Sequence, residues 1–202
     1  MPTPWHVETE TFRIRKFCVG PLENNVYLLA CAATDTAVII DAADEPDRIV
    51  AETGDVSPIA ILTTHGHFDH VGAAAAIRDH FSIPFRIHSA DEKLAGIAAD
   101  AALRDDEVIT VGNLEVVALH NPGHTPGSTS FAVDGHVFTG DTLFPGGPGA
   151  TRNPTAFAQI IESVRTRLFT MTPDTLVLPG HGLDTTIGTE FPSLEAWIAR
   201  GY

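Results

Sequence analysis

The residues with the clearest chemical potential lie between positions 64 and 70, in the stretch Thr-His-Gly-His-Phe-Asp-His. This stretch places His65, His67, Asp69 and His70 close together. Imidazole and carboxylate groups in combination suit zinc, iron or manganese. His65 and His67 can reach one ion, whereas the adjacent Asp69 and His70 diverge toward a second point. The pattern predicts half of a two-metal site, the alternative being a solvated polar loop.

Three more candidate ligands share one local pattern. His124, Asp141 and His181 each follow an apolar, strand-like segment and stand beside glycine. Glycine and proline let the backbone turn sharply enough to present one side chain at a sheet edge. Each residue alone fits a surface histidine or a turn aspartate, but with residues 64–70 they predict loops that converge at one edge. Asp41 also follows a strand, but no neighbouring residue supports it as a ligand, and we interpret it as structural.

Strands and helices must position these loops, and the apolar periodicity predicts where they lie. The predicted strands are 12–19, 25–31, 36–41, 59–62, 85–88, 107–111, 114–120, 128–133, 136–139 and 176–178. The predicted helices are 45–53, 71–81, a segment capped by Ser89 or Asp91 that runs to about 98, 155–169 with Asn153 as its cap, and 194–199. Strands occur both in meanders and in alternation with helices, which predicts mixed α/β layers rather than a purely parallel sheet.

Length and composition bound the class of protein. The chain has 202 residues, 44% hydrophobic and 19% charged, and is expected to form one domain spanning 1–202. Its formal net charge of −14 argues against nucleic acid and anionic membranes as partners. No apolar run approaches the ~18 residues of a membrane span, and no signal peptide is recognisable. We therefore expect a cytoplasmic protein, with Cys18 and Cys31 as buried free thiols in a reduced compartment.

Four motifs in this chain resemble those of the metallo-β-lactamase superfamily, in particular its glyoxalase II-like branch. They are THGHFDH at 64–70, PGHTPGS at 122–128, GDTLF at 140–144 and PGHG at 179–182. The resemblance implies an α+β, mixed α/β architecture, which is a four-layer αββα sandwich with metals in a cleft at one edge of the two sheets. Hydroxyacylglutathione hydrolases of that branch carry an additional C-terminal helical domain, which we expect this chain to lack.

The resemblance also implies which residues bind metal. Three histidines would hold one ion, a second trio would hold another, and one aspartate would bridge them. These are His65, His67 and His124, then Asp69, His70 and His181, and finally Asp141. We expect two divalent ions, zinc first, with iron or manganese as alternatives. Open coordination positions then admit water, as in catalytic sites, and Asp69 could also orient the attacking hydroxide.

The function implied is that of a binuclear metallohydrolase, in which a hydroxide bridging two ions attacks an acyl carbonyl. A thioesterase for small acyl-thiol thioesters is the leading interpretation, and Arg152 is a candidate contact for a substrate carboxylate. A mononuclear-iron persulfide dioxygenase is the main alternative, because such relatives keep much of the motif set. A lactonase is less favoured, because Phe144 stands where quorum-signal lactonases usually carry tyrosine. The remaining alternative is a metal-binding scaffold without activity.

Overall fold

Two six-stranded sheets form the centre of the molecule in a computed structural model that describes residues 2–201. The strands, with a small additional pair, are β1 (Val7–Glu8), β2 (Phe12–Val19), β3 (Asn24–Cys31), β4 (Thr36–Ile40), β5 (Ser57–Leu62), β6 (Phe85–Arg86), β7 (Glu107–Val111), β8 (Leu114–His120), β9 (Thr129–Val133), β10 (His136–Gly140), β11 (Leu143–Phe144), β12 (Gly147–Pro148), β13 (Leu176–Pro179) and β14 (Thr185–Thr186). The first sheet has the order β1-β2-β3-β4-β5-β6 and the second the order β14-β13-β10-β9-β8-β7, so each half of the chain builds one sheet.

Helices cover the outer faces of both sheets. They are α1 (Pro46–Glu52), α2 (Phe68–Val71), α3 (Ala74–Phe81), α4 (Glu92–Ala95), α5 (Pro154–Ser163), α6 (Ile187–Glu190) and α7 (Leu194–Arg200). Asn153 caps α5 as predicted, because its side chain accepts a hydrogen bond of 2.9 Å from the amide of Ala156. Within residues 2–201 no helix combines the length and the apolar character needed to cross a membrane.

Three apolar clusters hold these layers together. The largest lies between the sheets and includes Phe12, Tyr27 and Phe138. A second cluster packs α1 and α3 on the first sheet, and a third packs α5 and α7 on the second. Burial of these side chains is the main stabilising contribution. The four-layer αββα sandwich expected from the sequence is therefore confirmed.

The strand directions bring the candidate loops to one edge. Strands β10 and β13 are parallel, and β8 runs in the same direction because β9 is antiparallel to both β8 and β10. In the first sheet β4 and β5 are parallel. The segments that follow β5, β8, β10 and β13 all carry candidate ligands. The convergence predicted from the sequence follows from this arrangement.

The predicted helix 71–81 is wrong in its bounds, because the structure has two helices, α2 and α3. The break has a tertiary cause. The amide of Ala73 donates to the carbonyls of Ala42 and Ala43, in the loop after β4, rather than within a helix. A Cβ on Gly72 would lie 2.5 Å from the Ala43 carbonyl oxygen, so only glycine permits this close approach.

Two other predicted helices end early. The segment 155–169 is α-helical only to Ser163 and continues as a π-helical turn, Val164–Leu168. The segment predicted to run to about 98 ends at Ala95, because Gly96 adopts φ +68° and closes the helix. The side chain that caps its first, 3₁₀ turn belongs to His88, not to Ser89 or Asp91.

The prediction of two buried thiols is correct for Cys31 and wrong for Cys18, which is exposed. Cys18 shares a strand face with Ile14 and Lys16. Ile14 enters the core between the sheets, but Lys16 already bonds to Gly182 and Asp184. Asn25, which lies opposite Cys18 in β3, bonds to the carbonyls of Pro179 and Gly182, so the contacts to the second sheet at this end of β2 are polar and no apolar layer covers Cys18.

Candidate metal centre

The seven predicted ligands lie in loops or short helices that follow four strands. His65 and His67 follow β5, whereas Asp69 and His70 belong to α2. The other three follow β8, β10 and β13 and are His124, Asp141 and His181. The structure brings all seven into three overlapping groups, in each of which the potential ligand atoms lie within 4.8 Å of one another.

The first cluster consists of His65, His67 and His124. Nδ1 of His67 lies 3.0 Å from Nε2 of His65 and 3.0 Å from Nε2 of His124. Two imidazole nitrogens at about 2.1 Å from one tetrahedral ion lie about 3.4 Å apart, so this spacing fits a shared ion within a few tenths of an ångström. Burial, then the neighbouring imidazoles, holds the pKa of His65 well below its ordinary value. His65 is therefore neutral at pH 7, as a metal ligand must be.

The second cluster consists of Asp69, His70 and His181. Oδ2 of Asp69 lies 3.4 Å from Nε2 of His181 and 3.7 Å from Nε2 of His70. Burial raises the pKa of Asp69, but the hydrogen bond from Asn24 and the nearby His70 outweigh burial and lower it. The carboxylate is therefore ionised at neutral pH. Two imidazoles and one anionic oxygen form a donor set suited to a divalent cation.

Asp141 lies between the clusters and points one carboxylate oxygen at each. Its Oδ2 is 3.6 Å from Nε2 of His124, in the first cluster. Its Oδ1 is 3.5 Å from Nε2 of His70 and 3.8 Å from Nε2 of His181, in the second. A Cβ on Gly180 would lie 2.5 Å from this Oδ1, so glycine at position 180 leaves room for the carboxylate. This is the arrangement that a bridging ligand requires.

Two orphaned atoms indicate that the cleft is built around a cation. Nε2 of His70 and Oδ1 of Asp141 are both buried, and neither has a hydrogen-bond partner within residues 2–201. Buried polar atoms rarely lack a partner. Burial lowers the pKa of His70, but Asp41 and the two other nearby carboxylates outweigh burial and raise the pKa to about 9. A divalent cation coordinated by both atoms would satisfy them and replace the proton.

In His124 and His181 the ring nitrogen that faces away from the cleft, Nδ1, is hydrogen-bonded to a backbone carbonyl. Nδ1 of His124 lies 2.7 Å from the carbonyl oxygen of Ala150, and Nδ1 of His181 lies 3.0 Å from that of Leu22. A carbonyl only accepts, so each Nδ1 carries the proton and each Nε2 presents a lone pair to the cleft. Such outer contacts fix ring orientation in metal sites.

Asp41 has a more specific role than the structural one inferred from the sequence. Its Oδ2 lies 2.9 Å from Nδ1 of His70 and accepts a hydrogen bond of 2.7 Å from the Thr64 hydroxyl. Its Oδ1 accepts a hydrogen bond of 2.8 Å from the Thr64 amide. Asp41 therefore orients His70 and secures the start of the histidine loop. The sequence contains one signal for this role, because Asp41 is a carboxylate at the end of the strand that pairs with β5. It contains no signal that His70 is the partner of Asp41.

Asp91 is a positioning residue that sequence reasoning missed, because it was interpreted only as a possible helix cap. It is fully buried and accepts three hydrogen bonds. Its Oδ2 accepts a hydrogen bond of 2.9 Å from the amide of Gly66 and one of 2.6 Å from the Thr125 hydroxyl. Its Oδ1 accepts a hydrogen bond of 2.8 Å from the amide of Gly127. Gly66 separates His65 from His67, and Thr125 follows His124. One carboxylate thus joins both loops of the first cluster.

Replacing Asp91 by alanine is expected to cost about 3 kcal/mol or more in the free energy of unfolding, because three buried donors lose their acceptor. It should also weaken the metal affinity of the first cluster by roughly 10–100-fold. Chemical denaturation and metal titration measure the two effects. Asp79→Ala, which removes an exposed carboxylate paired with Arg78, is the matched control. An Asp91→Ala protein with unchanged affinity in the first cluster contradicts the positioning role.

Arg152, the predicted substrate contact, lines a pocket of about 330 Å³. Lys93, Leu94 and Pro126 line the same pocket. Pro126 lies two residues after His124, and Leu94 packs against Gly66, so the pocket borders the first cluster. Asp91 also lines this pocket, but its buried carboxylate accepts three hydrogen bonds from the protein, so Lys93 and Arg152 supply the positive charge that can attract an anionic group.

Comparisons with known proteins agree with this geometry. The model of the metallo-beta-lactamase superfamily matches residues 19–181. The chain is 35% identical to the probable metallo-hydrolase YqgX of Bacillus subtilis, covering 87% of this chain and 93% of that protein. It is 36% identical to hydroxyacylglutathione hydrolase GloC of Haemophilus influenzae, covering 76% and 84%. The crystal structure of TTHA1623 in a di-iron-bound form superposes with a TM-score of 0.73 at 34% identity, covering 88% and 96%.

Proposed function

The chain belongs to the metallo-beta-lactamase superfamily, and we propose that it is a binuclear metallohydrolase that cleaves small acyl-thiol thioesters. In this proposal His65, His67 and His124 hold one ion, and the second cluster holds the other. The similarity to a hydroxyacylglutathione hydrolase supports the thioesterase class. The similarity to a di-iron structure supports iron as an alternative to zinc.

The position of Asp141 is the observation that carries this proposal. Its two oxygens face different clusters at 3.5 Å and 3.6 Å from the nearest imidazole nitrogens. A mononuclear iron centre could use Asp141 as its one carboxylate ligand, but it would leave the second donor set of Asp69, His70 and His181 without an ion. The geometry therefore favours the two-metal hydrolase over the mononuclear-iron persulfide dioxygenase.

Two divalent ions, when bound, lower the pKa of a coordinated water toward ~7 and polarise a substrate carbonyl. Hydrolysis joins the water oxygen to the acyl carbon and breaks the carbon–sulfur bond, and the electron pair leaves with sulfur. Asp69, an ionised carboxylate that accepts a hydrogen bond of 3.0 Å from Asn24, orients the water, whose proton passes to solvent when hydroxide forms. No protein nucleophile takes part in this scheme.

The cationic pocket suggests the kind of thiol carrier. Lys93 and Arg152 lie beside the first cluster in a chain whose net charge is −14. A carboxylate on the thiol half of the substrate would be attracted to this pocket and repelled elsewhere. We therefore propose Arg152 as a substrate-binding residue and an anionic thiol, such as glutathione or a smaller carboxylate-bearing thiol, as the leaving group.

Elemental analysis tests the metal content directly. We expect about two equivalents of zinc, or of zinc and iron together, per chain. Removal of the metals by a chelator should abolish hydrolysis, and added Zn²⁺ should restore it. One equivalent of iron with measurable oxygen uptake in the presence of a persulfide contradicts the hydrolase and supports the dioxygenase.

Hydrolysis assays test the substrate class. We expect faster hydrolysis of S-lactoylglutathione and related thioesters than of matched oxygen esters, homoserine lactones or β-lactams. Arg152→Ala should raise KM for carboxylate-bearing thioesters about tenfold and change KM little for an uncharged analogue, because a charge-assisted contact is lost. Equal KM changes for both substrates contradict the assigned role of Arg152.

A further inference from the structure

A second pocket, of about 160 Å³, borders the other side of the cleft. Asn24 and Asp69 form its inner wall. Asn24 donates to Asp69 and lies 3.3 Å from Nε2 of His181, so this wall belongs to the second cluster. A group placed in the pocket would therefore lie next to the reacting acyl carbon of the proposed function.

The outer part of this pocket is apolar and faces solvent. Leu22 and Phe68 line it and are 50% and 76% exposed. Of the eight large apolar side chains that are exposed within residues 2–201, these two adjoin the second cluster, because Phe68 precedes Asp69 and the Leu22 carbonyl lies 3.0 Å from Nδ1 of His181. Single exposed apolar residues are ordinary, but a group of them at the mouth of a pocket indicates a binding surface.

The charged residues that line this pocket disfavour an anionic occupant away from the metal-binding positions. Its charged lining residues within 2–201 are Asp44 and Asp69, both acidic. The thiolate that leaves during hydrolysis is negatively charged and would be repelled here, whereas Lys93 and Arg152 on the opposite side would attract it. The hydrocarbon end of the acyl group carries no charge, so the acidic residues do not repel it. Charge thus orients the substrate, with its acyl end toward Leu22 and Phe68.

We propose that the pocket of Leu22 and Phe68 is an acyl-binding subsite that selects substrates with an apolar acyl group. This inference rests on the proposed function and specifies its substrate class. An apolar cavity of ~150 Å³ holds one benzene ring, so the pocket accommodates an acyl group of about six carbon atoms or a phenyl group. The substrate class is therefore medium-length or aromatic acyl thioesters of an anionic thiol.

The test uses the metal-loaded enzyme and acyl thioesters of one thiol, from acetyl to hexanoyl with phenylacetyl added. Each CH₂ that enters the pocket should raise kcat/KM up to about fourfold, so the hexanoyl-to-acetyl ratio should exceed about tenfold. Phe68→Ser and Leu22→Ser should each reduce this ratio at least threefold. Val108→Ser, which changes an apolar residue of similar exposure in β7, should leave the ratio unchanged.

Binding measurements provide a readout that does not depend on turnover. Calorimetry with S-hexyl and S-methyl thioethers of the same thiol should show at least tenfold tighter binding of the hexyl compound, and Phe68→Ser should remove most of this difference. Hydrolysis of all thioesters at one rate, with equal binding of both thioethers, overturns the acyl subsite but leaves the thioesterase intact. No hydrolysis of any thioester, with two metals bound, overturns the proposed function, and a preserved hexyl preference in binding would then still support the apolar subsite.

Discussion

Replacement of Asp141 by alanine is expected to abolish hydrolysis and to reduce bound metal to about one equivalent or less. In the proposed centre this carboxylate is the only ligand shared by both ions, and it also separates two sets of imidazoles. Loss of an outer-shell partner costs roughly 10–100-fold in metal affinity or activity, so loss of a shared ligand should cost on the order of 10³-fold or more in kcat/KM. Steady-state kinetics and elemental analysis of the same sample measure both effects.

The matched control is Asp174→Ala, which removes an exposed carboxylate in the turn before β13. It should retain wild-type metal content and activity. Asp141→Asn provides a second comparison, because the amide keeps the shape of the side chain but offers only one oxygen. Full activity in Asp141→Ala, with two equivalents of metal, contradicts the bridging role.

Replacement of Asp41 by asparagine is the second prediction with a large expected effect. The amide oxygen can still accept from the Thr64 amide, which then places the NH₂ group where Oδ2 faces Nδ1 of His70. Two donors cannot pair, so His70 must move its proton from Nδ1 to Nε2. Nε2 is the atom that faces Asp141, and once protonated it cannot bind a metal. We expect a 10–100-fold loss of affinity at the second cluster.

Nitrogen chemical shifts of His70 in the metal-free protein, recorded above the wild-type pKa of about 9 so that the ring is neutral, measure this tautomer directly. The pKa of His70 should also fall below the wild-type value of about 9, because Asp41 is the largest cause of its elevation. Asparagine tolerates the left-handed conformation found at position 41, where φ is +57°, so the backbone should be preserved. Asp55→Asn, which changes a partly exposed carboxylate paired with Arg15, is the control. An unchanged tautomer with full metal content contradicts the prediction.

The local sequence was sufficient for most elements of the fold. Strands β7 and β8 have the predicted bounds, because period-two alternation on either side of Gly112 and Asn113 specifies a hairpin with little help from the rest of the chain. The start of α5 was predictable for the same reason, since the Asn153 cap and Pro154 act within one turn. The four strand–loop motifs also predicted which seven side chains could meet at one edge.

Tertiary structure decided the features that depend on residues distant in sequence. The break between α2 and α3 comes from the loop after β4, whose carbonyls attract the Ala73 amide. Cys18 is exposed because the contacts to the second sheet at its end of β2 are hydrogen bonds made by Lys16 and Asn25 rather than apolar packing. Neither effect leaves a mark on the local pattern, because each depends on what lies opposite the segment.

Asp41 and Asp91, the carboxylates that position the metal-binding loops, show most clearly what the local sequence determines and what the tertiary structure decides. The sequence by itself identified His65, His67, Asp69 and His70 as metal-binding types, since their chemistry and spacing are local. It did not identify Asp41 or Asp91 as the residues that hold them, because a carboxylate at a strand end or before a helix is usually a turn or cap residue. Their partners, Thr64, His70, Gly66, Thr125 and Gly127, are 23 to 36 residues away along the chain. Only the packed sheets bring those donors within hydrogen-bond distance, and burial then makes each bond costly to lose.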